Sequence, residues 1–367
     1  MRLLVPLPVL VPLLGAALAL LLARRPGAQL VISTVALSVK FGVAGVLLWQ
    51  ANRYGPLVVR IGGWPPPAGI VLVADQLAVL MVVISAAVTL CVLLYSIGEG
   101  RADPEDSAPL AIYHPTYLVL IAGVTNTFLA GDLFNLFVGF EVLLAASYVL
   151  ITMQGTEARI RAGATYVMVS LLSSLLFLIA AGLVYAATGT LNLAQLAMRL
   201  NALPANLSLA LHLLLLLVFG IKAAVFPLSA WLPDSYPTAP APITAVFAGL
   251  LTKVGVYAII RVETLLFPDE RADDLLLVLA LLTMLVGILG AVAQRDIKRL
   301  LSFTLVSHIG YLLFGVALST QAGLAGAIFY VVHHIIIQTT LFLATGLIER
   351  RAGSTVLDRL GGLARVT

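Results

Sequence analysis

Three charged residues sit where the chain is otherwise apolar, and their types fit one chemistry. Glu141 closes the run Gly131-Asp-Leu-Phe-Asn-Leu-Phe-Val-Gly-Phe-Glu141, nine positions beyond Asp132. Lys222 lies in Phe219-Gly-Ile-Lys-Ala-Ala-Val-Phe-Pro227, and Lys253 in Leu250-Leu-Thr-Lys-Val-Gly-Val-Tyr257. A carboxylate and two amines among apolar neighbours can pass protons, because moving one charge changes the proton affinity of the next group. Charge at the centre of a bilayer costs from about 2.5 kcal/mol upward, so such residues are functional by default. The competing readings are structural. Glu141 could be a carboxylate bonded to a neighbouring helix, and Lys222 a lysine whose amine snorkels to an interface.

The surroundings of the lysines sharpen the choice. Pro227 has no N–H for the Ala223 carbonyl and its ring clashes there, so the helix carrying Lys222 should open within about one turn of it. Broken helices at membrane depth occur where they line a cavity or pack against protein. Lys253 is the most central cation, with Gly249 and Tyr257 on the same helical face.

Two polar stripes follow: Thr304, Ser307, His308 and Tyr311, then Tyr330, His334, Gln338 and Thr345 with His333 beside them. For His308 and His334 a proton relay and an interhelical hydrogen bond are both open. For His212 and His333 the bonding role is favoured. His114 reads as a loop residue without a role, Lys40 stays unassigned, and Asp132 and Asn135 read as capping groups at a helix start.

The elements that must hold these residues are membrane helices. Hydrophobic residues make up 61% of the 367 and charged residues 10%, against roughly 25% charged in a soluble domain. A ruler of about 20 apolar residues marks eleven spans: 3–22, 30–49, 75–97, 115–131, 132–153, 162–187, 207–232, 241–262, 275–293, 299–319 and 323–348. Gly131-Asp132 is the only break between the fourth and fifth. Connections carry Arg24-Arg25-Pro26-Gly27, Trp64-Pro65-Pro66-Pro67, the acidic Asp103-Pro104-Glu105-Asp106 and Pro268-Asp269-Glu270. The chain therefore reads as an all-α polytopic helix bundle. N-terminal helices 1–3 occupy residues 1–114, and a core of helices 4–11 occupies 115–367.

Loops after odd-numbered helices hold twelve Lys and Arg, against six on the other side and three within helices. The positive-inside rule then places the N-terminus outside. The first apolar segment ends at Arg24-Arg25 without a small-residue cleavage site, so it reads as a membrane helix and not as a signal peptide.

Several classes are excluded. The net charge of +4 is dispersed, with no basic cluster interleaved with aromatics, so nucleic acid is not a partner. Cys91 is the only cysteine, which removes disulfides, zinc sites and cysteine-ligated iron–sulfur clusters within this chain. No phosphate loop, nucleophile elbow or His-Glu-x-x-His is present. No catalytic, cofactor-binding or metal-ligating set is expected.

The stretch Ile221-Lys-Ala-Ala-Val-Phe-Pro-Leu-Ser-Ala-Trp-Leu-Pro-Asp-Ser-Tyr-Pro-Thr-Ala-Pro-Ala-Pro242, with Leu251-Thr-Lys-Val-Gly-Val-Tyr257 and Arg261, resembles the central signature of the antiporter-like membrane subunits. These subunits are shared by respiratory complex I, membrane-bound hydrogenases and Mrp-type multisubunit Na⁺/H⁺ antiporters. The run Gly131 to Glu141, continued by Ser147-Tyr148, most resembles the Mrp D subunits. The resemblance implies a prokaryotic plasma-membrane subunit that moves protons along Glu141, Lys222, Lys253 and His308, with His334, Gln338 and Tyr257 as further relay candidates and Pro227 at the helix break. It implies other antiporter subunits, H⁺, and Na⁺ or K⁺ as partners, and no cofactor. The alternative it leaves is a proton-pumping subunit of complex I or a hydrogenase, and a purely structural scaffold is a third reading.

Two departures from the family pattern stand out. Many relatives carry a lysine where Gln338 stands, and members usually continue to about fourteen helices with a second broken helix. The resemblance therefore leads us to expect a C-terminally incomplete chain, lacking the terminal group of the proton path.

Overall fold

The computed structural model describes residues 2–100, 110–153, 155–268 and 272–362. The acidic connection Asp103–Asp106, the pair Asp269-Glu270 and the basic residues Arg101, Arg271 and Arg365 lie outside the described residues. The expected spans are helical, apart from the turns at residues 224–230 within 207–232, and the protein is a multi-pass α-helical membrane protein. Among the described residues nine helices are long and apolar enough to cross a membrane. The chain divides into two compact units, which are described separately.

The first unit contains residues 1–154, 170–218 and 261–268. Its helices are α1 (Leu7–Leu21), α2 (Pro26–Tyr54), α3 (Gln76–Gly100), α4 (Leu110–Leu129) and α5 (Leu133–Thr152). With them belong the C-terminal part of α6 (Glu157–Thr188), the short α7 (Leu193–Arg199) and most of α8 (Ala205–Ala223). Helix α1 is shorter than the expected 3–22, because the chain enters it through a 3₁₀ turn at Arg2–Leu4 and Pro6. Prolines there cost little, since N–H groups of a first turn have no helical partner. Asp132 caps α5 as expected, its carboxylate accepting from Asn135 N–H at 2.6 Å and from Val71 N–H at 3.1 Å. Helix α4 lies very close to α5: a Cβ built on Gly123 would stand 2.5 Å from the Leu143 nitrogen.

Three features of this unit escape a hydropathy ruler. A hairpin of β1 (Leu57–Arg60) and β2 (Val71–Ala74) pairs antiparallel, Leu57 opposite Ala74. Helix α7 is only 7 residues long, capped by Asn192. His114 is not in a loop: it lies inside α4, buried, with Nδ1 3.1 Å from the Ser33 hydroxyl of α2. The sequence places the start of this span at Pro115, yet the helix begins earlier and takes the proline in its first turns. Pro115 is the sixth residue of α4 and so cannot donate to the Ala111 carbonyl.

The second unit contains residues 155–169, 219–260 and 269–367. Helix α8 ends at Ala223, and residues 224–230 form turns before the short α9 (Trp231–Ser235). The expected span 207–232 is thus a broken helix. A buried helical rod follows, made of α10 (Ala241–Val246), a π segment Phe247–Leu251 and α11 (Thr252–Arg261); a second π segment, Val262–Leu266, comes next along the chain and belongs to the first unit. Helices α12 (Asp273–Val292), α13 (Ile297–Ala317) and α14 (Gln321–Ala352) complete the unit, α12 packing along α13 and α14 against α10 and α13. Leu281, Leu285 and Leu289 of α12 stay exposed, a face suited to lipid or a partner protein.

Candidate functional site

Within the first unit, Glu141 sits half-buried near the middle of α5. The hydroxyl of Ser174, on α6, donates a hydrogen bond to its Oε1. Phe137, one turn before it, packs edge-on against Phe177 of α6 at 5.7 Å. The carboxylate is therefore held between two helices by a hydroxyl donor beside an aromatic platform. Ser174 gives no signal in the sequence, since serines in membrane helices commonly bond their own backbone.

Within the second unit, Lys222 is buried in the last turn of α8. A cation there is favoured by the partial negative charge of the helix C-terminus. The opened end is stitched by specific bonds. Val225 N–H donates to the Gly220 carbonyl at 2.9 Å, Trp231 Nε1 to the Ile221 carbonyl at 3.2 Å, and Phe226 N–H to Thr283 Oγ1 at 3.1 Å. Ala224 takes φ +60°, the left-handed region in which a side chain costs roughly 1 kcal/mol or more. Pro227 lies four positions after the last helical residue.

Lys253 is fully buried at the start of α11. Its Nζ donates to the Ala248 carbonyl at 2.6 Å, inside the π segment Phe247–Leu251. A π turn disturbs the i→i−4 ladder and is frequent at functional sites. Here it offers the ammonium a backbone carbonyl as a resting place. Tyr257, one turn on, is buried as well.

The two lysine-bearing segments meet backbone to backbone. A Cβ built on Gly255 would lie 2.7 Å from the Ala223 nitrogen and 2.9 Å from both the Ala223 Cα and the Lys222 carbonyl carbon. Glycine is required because no side chain fits this approach. The sequence shows Gly255 two positions after Lys253, but not that the broken end of α8 rests on it.

The histidines of α13 and α14 cluster. His308 Nδ1 is hydrogen-bonded to the Tyr330 hydroxyl, and its ring lies 4.6 Å from that of His334. Tyr330 and His334 are parallel, 5.9 Å apart. Both ring nitrogens of His334 are buried without a hydrogen bond of ordinary geometry among the described residues. Gln338 Nε2 donates to the Leu301 carbonyl at 2.9 Å, an interhelical bond. Tyr311 is exposed and His333 stacks on Phe329 and Tyr330.

Residues 130–367 match the family described as NADH:quinone oxidoreductase/Mrp antiporter, transmembrane. The chain belongs to that family. It is 42% identical over 365 residues to the D subunit of the Na⁺/H⁺ antiporter of Alkalihalophilus pseudofirmus, covering 99% of this chain and 73% of that relative. A chain in the structure of the Mrp complex from a Dietzia species superposes with a TM-score of 0.92 at 35% identity, over 100% of this chain and 68% of its own length. A chain of respiratory complex I from Thermus thermophilus superposes with a TM-score of 0.84 at 28% identity, over 98% of this chain and 74% of its own length. An antiporter-subunit role follows from this membership. It is a role in transport and not in enzymatic conversion.

Proposed function

We propose that the chain is the D-type subunit of an Mrp-type multisubunit monovalent-cation/H⁺ antiporter of a prokaryotic plasma membrane, with its N-terminus outside. A relative that carries the name of such a subunit matches nearly all of it at 42% identity, and this supports the Mrp reading over the complex I alternative. Protons pass along Glu141, Lys222, Lys253 and His308, with Tyr257, His334 and Gln338 supporting the path.

The observation that carries the reading is the pair of buried lysines on segments joined at Gly255. Desolvation disfavours a buried ammonium and a neighbouring negative charge restores it, so a charge moved near a buried lysine decides its state. Moving charge at Glu141 relative to Lys222 transfers the bias to Lys253 and then to the imidazoles of His308 and His334. Other antiporter subunits, the bilayer, and Na⁺ or K⁺ opposite H⁺ are the partners of this reading.

The test is cation-dependent ΔpH in vesicles carrying the complete complex, wild type against Lys253→Ala. The proposal expects a normally assembled complex without exchange. Wild-type exchange in the variant would make the charges a scaffold that only holds helices together.

A further inference from the structure

A buried acid–base pair lies in the first unit, and the path through Glu141, Lys222 and Lys253 does not use it. His212, two turns into α8, places Nε2 2.6 Å from Glu263 Oε1, with the side chains 1% and 8% exposed. The imidazole lies flat on Phe267, centroids 4.3 Å apart at 8°, which fixes the ring plane toward the carboxylate. Glu263 projects from the π segment Val262–Leu266, against which α7 packs.

The charged groups on the packed elements have their own bonds. Arg199 of α7 donates to the Thr188 carbonyl at 2.7 Å. Arg261, just before the π segment, pairs with Asp75 before α3 at 2.5 Å.

The chemistry of the pair is that of one exchangeable proton. With it, imidazolium faces carboxylate, or imidazole faces carboxylic acid, and the pair is neutral. Without it, the neutral imidazole donates Nε2–H to the carboxylate and the pair carries one negative charge. In the chain His212 stands ten positions before Lys222, and Glu263 ten after Lys253. Along the chain the pair thus bonds the helix that leads to Lys222 to the segment that follows Lys253.

We propose that His212 and Glu263 form a second proton-binding site that loads or drains the lysine path, so that its occupancy sets the pH range of exchange. This rests on the proton-translocating reading of Lys222 and Lys253. The sequence alone favours a merely bonding role for His212, and its partner Glu263 lies 51 positions away.

The experiment records the pH profile of cation-dependent ΔpH in vesicles holding the complete complex, for wild type, His212→Gln, Glu263→Gln and Lys253→Ala. The proposal expects each variant of the pair to assemble and to move the profile by about one pH unit or more, a tenfold change in proton concentration. Where one variant fails to assemble, the other decides. A wild-type profile at lower amplitude overturns the proposal, and so does failure of both variants to assemble, since the pair is then a structural clamp. If Lys253→Ala retains exchange, the transport reading itself fails. If Lys253→Ala abolishes exchange while the profiles of the pair stay unchanged, only the second site fails.

Discussion

Gly255→Ala is the smallest change that acts on the junction of the two lysine segments. A methyl group at this position stands 2.7 Å from the Ala223 nitrogen and 2.9 Å from the Lys222 carbonyl carbon. Ordinary contact between such atoms is about 3.5–4.0 Å, so the opened end of α8 must retreat by roughly 0.8 Å or more. Backbone cannot give way as a flexible side chain does. Overpacking of this kind costs typically about 1–3 kcal/mol. The same retreat separates Lys222 from α11, on which Lys253 sits. The neighbouring Gly220→Ala is the control: its Cβ meets Leu228 and Val225 at 3.7 and 3.9 Å, ordinary distances, and alanine gains about 0.8–1.0 kcal/mol of helix propensity over glycine. The assay is cation-dependent ΔpH in vesicles together with the thermal midpoint of the purified complex. Gly255→Ala should lower both, and Gly220→Ala should preserve both. Equal behaviour of the two alanines would refute the argument that the backbone approach at Gly255 couples the lysine segments.

Other variants test separate parts of the account. Lys40 is fully buried in α2 with a 3.4 Å bond from its amine to Ser85 and no ion pair among the described residues. Lys40→Met removes a costly buried amine at similar volume, so the thermal midpoint should hold or rise and exchange persist; a loss of exchange would place Lys40 in the path. Ser174→Ala removes the donor to Glu141, an interaction to a charged group worth about 1.5–3 kcal/mol. It should slow exchange several-fold without loss of assembly, and an unchanged rate would mean that Ser174 does not tune the carboxylate. Thr283→Val leaves the Phe226 N–H without its acceptor, which should destabilise the complex by about 1–3 kcal/mol in thermal unfolding; no change would mean that the break in α8 is held by other contacts.

Much of the fold is legible in the sequence because hydropathy has one strong requirement, a run of apolar residues long enough to cross lipid. The break between α4 and α5 is visible at Gly131-Asp132, since a carboxylate suits a helix N-terminus, and Asp132 caps α5. The opening of α8 is visible because Pro227 removes a donor at a known offset. The hairpin Leu57–Ala74 is not legible: its strands are 4 residues each, with Gly-, Trp- and Pro-rich turns between them. The π segments are equally hidden, because no residue type demands an i→i+5 turn, yet one of them supplies the Ala248 carbonyl to Lys253. For the proposed site, residue types single out Glu141, Lys222 and Lys253 as candidates, but not the partners that hold them. Ser174, Gly255 and the His212–Glu263 pair depend on groups brought together from distant parts of the chain, which spacing along one helix does not report.

The most direct measurement asks whether water and a positive charge are both needed at position 253. In a Cys91→Ser background, Lys253→Cys is introduced into the complete complex. Cation-dependent ΔpH is then recorded before and after treatment with a small water-soluble thiol reagent that attaches an ethylammonium group. The account predicts no exchange before treatment and restored exchange after it, because the reagent reaches the site through the polar path and returns a cation there. Full exchange before treatment would contradict it.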